Sequence, residues 1–225
     1  MSSVLVLRLE GPLQSWGERS RWDVRETADR PTKSAVIGLL GAALGLKRNS
    51  PKLVEMGRQL RFAVRVDRPG QRMVDFHTVS GALPSADGKT KGKEDDPYTL
   101  LTPRTYLQDA SFLVALEGPE EMVEECALAL KQPRWPYFLG RKCCPPAVPV
   151  FAGVEQNCGL REALQPQRHP VSVREKTRKP KSVSVYSQDA KGDFEVRDRW
   201  LGTPGREYGT TRYALDFEEV TAECI

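Results

Sequence analysis

The order of segments along the chain predicts an α+β fold: a ferredoxin-like, or RRM-like, domain of order βαββαβ, with an inserted arm and a small β-rich appendage after it. Three observations carry the prediction. Apolar runs of strand length occur at SVLVLRL (Ser3–Leu9), LRFAVRVD (Leu60–Asp67) and ASFLVALE (Ala110–Glu117). Stretches with helical spacing follow the first and the third of these, at about 33–46 and at Pro119–Lys131. Beyond about residue 155 the chain turns basic and strand-like. Residues 1–154 are thus read as the main domain, about 68–107 as the inserted arm, and 155–225 as the appendage. A chain of 225 residues is long enough to bury a good core.

The first strand is too short to be a secretory leader. Ser3–Leu7 meets Arg8 and Glu10 at once, whereas a leader needs about 7–15 apolar residues after a basic start. A cytoplasmic protein is expected.

The stretch RPTKSAVIGLLGAALGL (Arg30–Leu46) admits several readings. Only twelve residues, Ala35–Leu46, are uncharged, and a membrane span needs about twenty. A P-loop carries glycine directly before Lys-Ser/Thr, but here the glycines come after Lys33–Ser34. The spacing of Gly38, Gly41 and Gly45 is GxxGxxxG, which is not the dinucleotide fingerprint. A buried helix remains, with Thr32 as its N-cap and a stripe of small residues that suits packing against a sheet or another backbone. Its N-terminal amides, beside Arg30, Thr32, Lys33 and Ser34, make a candidate phosphate seat.

In PEEMVEECALALK the apolar positions Met122, Val123, Cys126, Ala127 and Leu130 follow a helix. The glutamates gather at its start and Lys131 stands at its end, as the dipole favours. A fourth strand is expected near Ala147–Gly153. The second and third strands should be joined by a short turn, yet about forty residues, Arg68–Leu107, separate them. An insertion of that length is read as a functional arm. In the appendage SVSVYSQ (Ser182–Gln188), FEVRDRW (Phe194–Trp200) and GREYGTTRYALDF (Gly205–Phe217) read as hairpin strands.

A net charge of +4 does not by itself demand a nucleic-acid partner. The charge is sorted, however. Arg168–Lys181 holds six basic residues and one acidic residue, while five glutamates lie in Glu117–Glu125. The five cysteines have irregular spacing and no CxxC pair, so reduced thiols are expected rather than disulfides or a metal site.

The blocks LVLRLEGPLQSWG, RPTKSAVIGLLGAALGL, FHTVSG, TPRTYLQDASFLVAL and PYFLGRKCCPP, in this order over about residues 4–153, resemble the CasD-type subunits of Cascade. Cascade is the CRISPR surveillance complex of subtype I-E, and these subunits belong to the RAMP superfamily. The resemblance implies a non-catalytic RNA-binding subunit that caps the 5′ handle of CRISPR RNA. An RRM-like palm and an inserted thumb would grip the handle. The neighbouring backbone and large subunits would be partners, target DNA an indirect one, with no membrane and no cofactor or metal. The Arg68–Leu107 insertion matches the thumb, and Arg104 in TPRTYL matches a thumb arginine that hooks between displaced nucleotides.

Recognition of a splayed RNA strand needs phosphate seats, stacking surfaces and edge-reading groups. Gln14 could read a base edge, and Trp16 could stack on a base or anchor its loop. Tyr106 could stack or pack the thumb base. Gly140 allows a close backbone turn, with Arg141 and Lys142 either on phosphate or simply solvated. The basic run from Arg168 could add electrostatic grip. His77 is expected to be structural or to touch RNA. The alternative is a metal-independent endoribonuclease using it as a general base, although the Lys-His pair that the cutting relatives resemble does not occur. A third reading, an acylphosphatase-like enzyme, lacks a small phosphate loop with an Arg–Asn set.

Overall fold

A computed structural model of the chain describes residues 2–17, 25–85, 87–173, 180–200 and 208–224. The first part of the chain gives β1 (Ser2–Glu10), β2 (Leu13–Gln14), α1 (Lys33–Ala43), α2 (Pro51–Gln59) and β3 (Arg61–Arg68). An inserted arm holds β4 (Gln71–Gly81), β5 (Leu83–Pro84), β6 (Thr90–Lys91) and β7 (Tyr98–Gln108). Then come β8 (Ser111–Pro119), α3 (Glu120–Lys131), β9 (Phe151–Gln156) and the single-turn α4 (Leu160–Ala163). The chain closes with β10 (Ser182–Gln188), β11 (Phe194–Trp200) and β12 (Tyr208–Glu219). The fold is mixed α/β and mostly antiparallel.

One sheet of seven strands, in the order β11-β12-β10-β3-β8-β1-β9, runs through the molecule. Its central strands are apolar on both faces, which explains why SVLVLRL is buried almost throughout instead of alternating. Leu5, Leu7, Phe62, Val64, Phe112 and Val114 pack toward α1, α2 and α3. Val4, Val6, Ala63, Leu113 and Ala115 point the other way, against Leu160, Ala163 and Leu164. The strands β3 and β8 are neighbours, pairing from Arg61↔Glu117 to Arg68↔Ser111, so the arm leaves and rejoins the sheet between two adjacent strands.

The appendage is part of the same sheet. Residues Ser184–Ser187 of β10 pair with Ala63–Val66 of β3, and β12 and β11 add beyond. This placement removes the exposed edge that β3 would otherwise present. Of the basic run, 174–179 lies outside the described residues. Arg168 pairs with Glu155 (3.0 Å) and Glu162 (2.5 Å) rather than standing free for RNA.

Helix α1 starts as its sequence indicates: the Thr32 hydroxyl accepts from the Ala35 amide. It ends earlier than residue 46. The Leu46 N–H donates to the Gly41 carbonyl and the Gly45 N–H to that of Ala42, a Schellman turn with Gly45 at φ +71°. The small-residue stripe is therefore not one surface. Gly41 faces Leu53 closely, Gly45 makes the turn, and Gly38 is exposed with no atom near its Cβ position. The fourth strand lies at Phe151–Gln156, later than expected, because the prolines of 145–149 keep that stretch out of the ladder.

Candidate nucleic-acid interface

The arm is a hairpin of two eleven-residue strands, β4 and β7, in register from Gln71↔Gln108 to Gly81↔Tyr98. Its root is fixed by β2, which pairs with β7 at Gln108 and Leu107, and by a bridge from Arg25 to Arg104. Directly opposed residues share a face. Met73 with Tyr106, Asp75 with Arg104 and His77 with Thr102 thus form one face, running outward from the root. The other face carries Val74 with Thr105, Phe76 with Pro103 and Thr78 with Leu101.

The root of the polar face is a packed cluster. Tyr106 is buried and its hydroxyl lies 3.4 Å from the Cys143 sulfur. The Arg141 guanidinium sits 4.5 Å from the Tyr106 ring centroid, while Nη1 donates to the Thr105 carbonyl (2.9 Å) and Nη2 to that of Arg25 (2.7 Å). Burial and the Cys143 contact raise the Tyr106 pKa, and Arg141 works against them. Burial also pushes the Cys144 thiol up to about 12. Gly140 makes the turn at φ +94°, where a Cβ would lie 1.7 Å from the Ser15 carbonyl oxygen. Further out, the Arg104 Nε donates to the Thr102 hydroxyl at 3.4 Å, and Thr102 donates to the His77 carbonyl. Arg104 is half-buried; His77 and Lys142 are exposed.

The structure therefore brings His77, Arg104, Tyr106, Gly140, Arg141 and Lys142 to the root and lower face of one arm. Within that set Tyr106 packs the arm base, so it is no stacking platform, and Arg141 clamps backbone carbonyls rather than offering its donors to phosphate.

Two sequence expectations need correction. Gln14 and Trp16 are both fully buried. The Gln14 Nε2 donates to the carbonyls of Leu9 (3.1 Å) and Ala110 (2.8 Å), and its Oε1 accepts from the Trp16 indole (3.1 Å). With every polar atom engaged inside the core, neither can read or stack a base.

The phosphate seat at α1 is also filled. Asp198 Oδ2 accepts from the Lys33 amide (3.2 Å), and Lys33, 2% exposed, donates its Nζ to Gln188 (3.1 Å). Arg30 pairs with Asp29 (2.7 Å) and stacks 3.9 Å from the Tyr186 ring centroid. Thr32 caps the helix, and the Ser34 hydroxyl lies 3.4 Å from that of Thr32. A carboxylate supplies what a phosphate would, so this group ties α1 to the C-terminal strands. The exposed apolar residues of the arm, Phe76 (66%), Val74 (52%) and Leu101 (51%), were not singled out in the sequence. The alternation in VDFH was the signal for Val74 and Phe76.

A family model described as CRISPR-associated protein (Cas_Cas5) matches residues 4–212. The chain is 38% identical over 231 residues to an Escherichia coli (strain K12) protein described as CRISPR system Cascade subunit CasD, covering 95% of each. Among solved structures it resembles a chain of a CRISPR RNA-guided surveillance complex, with TM-score 0.79 and 33% identity over 97% of this chain and 91% of that one. It also resembles a structure titled Crystal structure of Cas protein, with TM-score 0.73 and 34% identity over 96% and 95% of the two chains. Among the described residues no helix is long and apolar enough to cross a membrane.

Proposed function

The chain belongs to the Cas5 family of CRISPR-associated proteins, and from that premise we propose that it is a non-catalytic RNA-binding subunit that holds and caps the 5′ handle of CRISPR RNA in a Cascade-type complex for antiviral defence. The sheet order β9-β1-β8-β3, crossed by α1 and α3, supports a ferredoxin-like palm. The hairpin rising between β3 and β8 supports the thumb. The observation that carries the reading is the polar arm face. Arg104 and His77 stand in line above a root locked by Tyr106 and Arg141, so a cation and an imidazole are presented at a fixed height from the palm.

A single RNA strand laid across that root meets Arg104 first. Its guanidinium reaches phosphate in fork geometry or stacks between unstacked bases. Lys142, exposed beside the Gly140 turn, adds charge without sequence information. The non-catalytic reading is supported by how the root groups are used: the donors of Arg141 hold carbonyls and the Tyr106 hydroxyl rests on Cys143.

The test is reconstitution of the complex on CRISPR RNA. Arg104→Ala should lower the yield of assembled particle, and normal yield would remove the thumb assignment. Incubation of the purified chain with repeat RNA should leave the RNA intact. Cleavage that disappears in His77→Ala would establish the endoribonuclease instead.

A further inference from the structure

We propose that the cavity between the N-terminus of α1 and strands β10–β12 is a docking site for an arginine side chain of a partner protein. The cavity measures ≈ 190 Å³ and is lined by Asp29, Arg30, Tyr186, Phe194, Glu195 and Asp198, among others. Small-molecule pockets begin at about 300 Å³, so this one suits a side-chain head rather than a nucleotide.

Its charge points the same way. Three carboxylates, of Asp29, Glu195 and Asp198, line it against the guanidinium of Arg30. Asp29 pairs with Arg30 (2.7 Å) and Glu195 with Arg212 (3.3 Å) at the rim, so the lining stays net acidic and disfavours a phosphate-bearing ligand. Asp198 is 2% exposed. Its Oδ2 accepts from the Lys33 amide (3.2 Å) and the Tyr213 hydroxyl (2.6 Å), while its Oδ1 has no hydrogen-bond partner among the described residues. A buried carboxylate oxygen without a donor is costly, and a charged N–H donor relieves that cost.

The walls select the kind of donor. Tyr186 and Phe194 meet edge to face at 5.9 Å, and Tyr186 already holds the Arg30 guanidinium over its ring. A planar guanidinium both stacks on such rings and offers parallel N–H groups to a carboxylate, which an ammonium cannot do. The partner is thus a protein presenting arginine, consistent with likeness to a subunit of a surveillance complex. The site is separate from the arm and does not depend on the RNA reading.

The test is an NMR titration of the full chain with Nα-acetyl-arginine methylamide at constant ionic strength, following the Lys33 amide and its neighbours. Saturable shifts are expected, with binding at least about tenfold weaker in Asp198→Asn, the loss that accompanies removal of a charged acceptor. Glu195→Gln, on the exposed rim, should also weaken binding and keeps the test decisive if the first variant fails to fold. No saturable shift, unchanged affinity in the variants, or preferential response to AMP would each overturn the proposal, the last in favour of RNA.

Discussion

Arg141 lies over the ring of Tyr106 with 4.5 Å between the guanidinium carbon and the ring centroid, and both its Nη groups hold backbone carbonyls, those of Thr105 and Arg25. Thr105 belongs to the arm and Arg25 to the loop before α1, so one side chain joins three segments. The arm is a two-stranded hairpin over most of its length, and such ribbons are marginal by themselves. The clamp adds to the backbone pairing of β2 and Arg25 with β7 that fixes the root.

Arg141→Lys should weaken the clamp despite keeping the charge, because an ammonium reproduces neither the fork nor the stack. A loss of about 1–3 kcal/mol is expected from the two charge-assisted hydrogen bonds and the ring contact. Urea unfolding gives the stability. Hydrogen exchange at the Thr105 amide, which donates to the Arg25 carbonyl at 2.8 Å, shows whether the root has loosened. Unchanged exchange there would contradict the clamp.

Two glycines should respond in opposite directions to alanine. At Gly140 the positive φ and the 1.7 Å approach to the Ser15 carbonyl leave no room, so Gly140→Ala should cost more than about 3 kcal/mol or prevent folding. At Gly38, exposed in the middle of α1 with open space at its Cβ position, Gly38→Ala should stabilise by about 0.5–1 kcal/mol. Thermal or urea midpoints of the two variants decide both.

How far the sequence could be read follows from where each signal lies. Strands β1, β3 and β8 and helix α3 were legible because their apolar spacing is local. So was the arm, because no compact connection accounts for forty residues between neighbouring strands. The roles of Gln14 and Trp16 were not legible. Gln14 is satisfied by Ala110, 96 positions away, and a glutamine in a loop carries no trace of such a partner. Likewise Asp198 caps α1 from 165 positions away, which turned an apparent phosphate seat into an internal junction. The continuity of the sheet into β10–β12 was hidden for the same reason: strand pairing is a long-range property, and basic composition suggested a separate unit.

Arg65 is fully buried on the second face of the sheet and binds Asp67 through Nε (2.6 Å) and Nη2 (3.2 Å), with Nη1 on the Leu164 carbonyl (2.7 Å). Arg8 adds a second contact to Asp67 at 2.9 Å. Removing Arg65 leaves the buried Asp67 with Arg8 and the Ser172 amide alone and takes the charged donor from the Leu164 carbonyl. Arg65→Met should therefore cost about 3–5 kcal/mol. The double variant Arg65→Met with Asp67→Leu should recover part of that loss, and a double-mutant cycle without coupling would contradict the buried pair.

Stability should also fall on mild acidification. Burial holds His169 below the ordinary value of 6.5; Arg65 and Arg8 add to this, and Glu155, with an oxygen 3.3 Å from Nε2, opposes it. The unfolded chain binds a proton near 6.5 while the folded chain does not, so the stabilisation is complete above that pH and is lost as pH falls through the folded value. Glu10 acts in a lower window. Burial raises its pKa, but hydrogen bonds from Arg68, Ser172 and Ser111 outweigh this and hold it below 4.5, so its contribution is lost only as pH drops below that value. Urea midpoints across about pH 5–8 should decline toward the acid end, and His169→Gln should flatten that decline. A flat wild-type profile would contradict the burial of a neutral His169.

In the proposed role this chain holds the 5′ handle on the polar face of its arm. Binding of the full chain to labelled CRISPR RNA, with and without the handle and at two salt concentrations, tests it most directly. Tighter retention of the handle-bearing RNA, with the preference surviving the higher salt, reduced in Arg104→Ala and unaccompanied by cutting, is the expected result. Equal binding of the two RNAs, or a handle preference untouched by Arg104→Ala, would contradict the account.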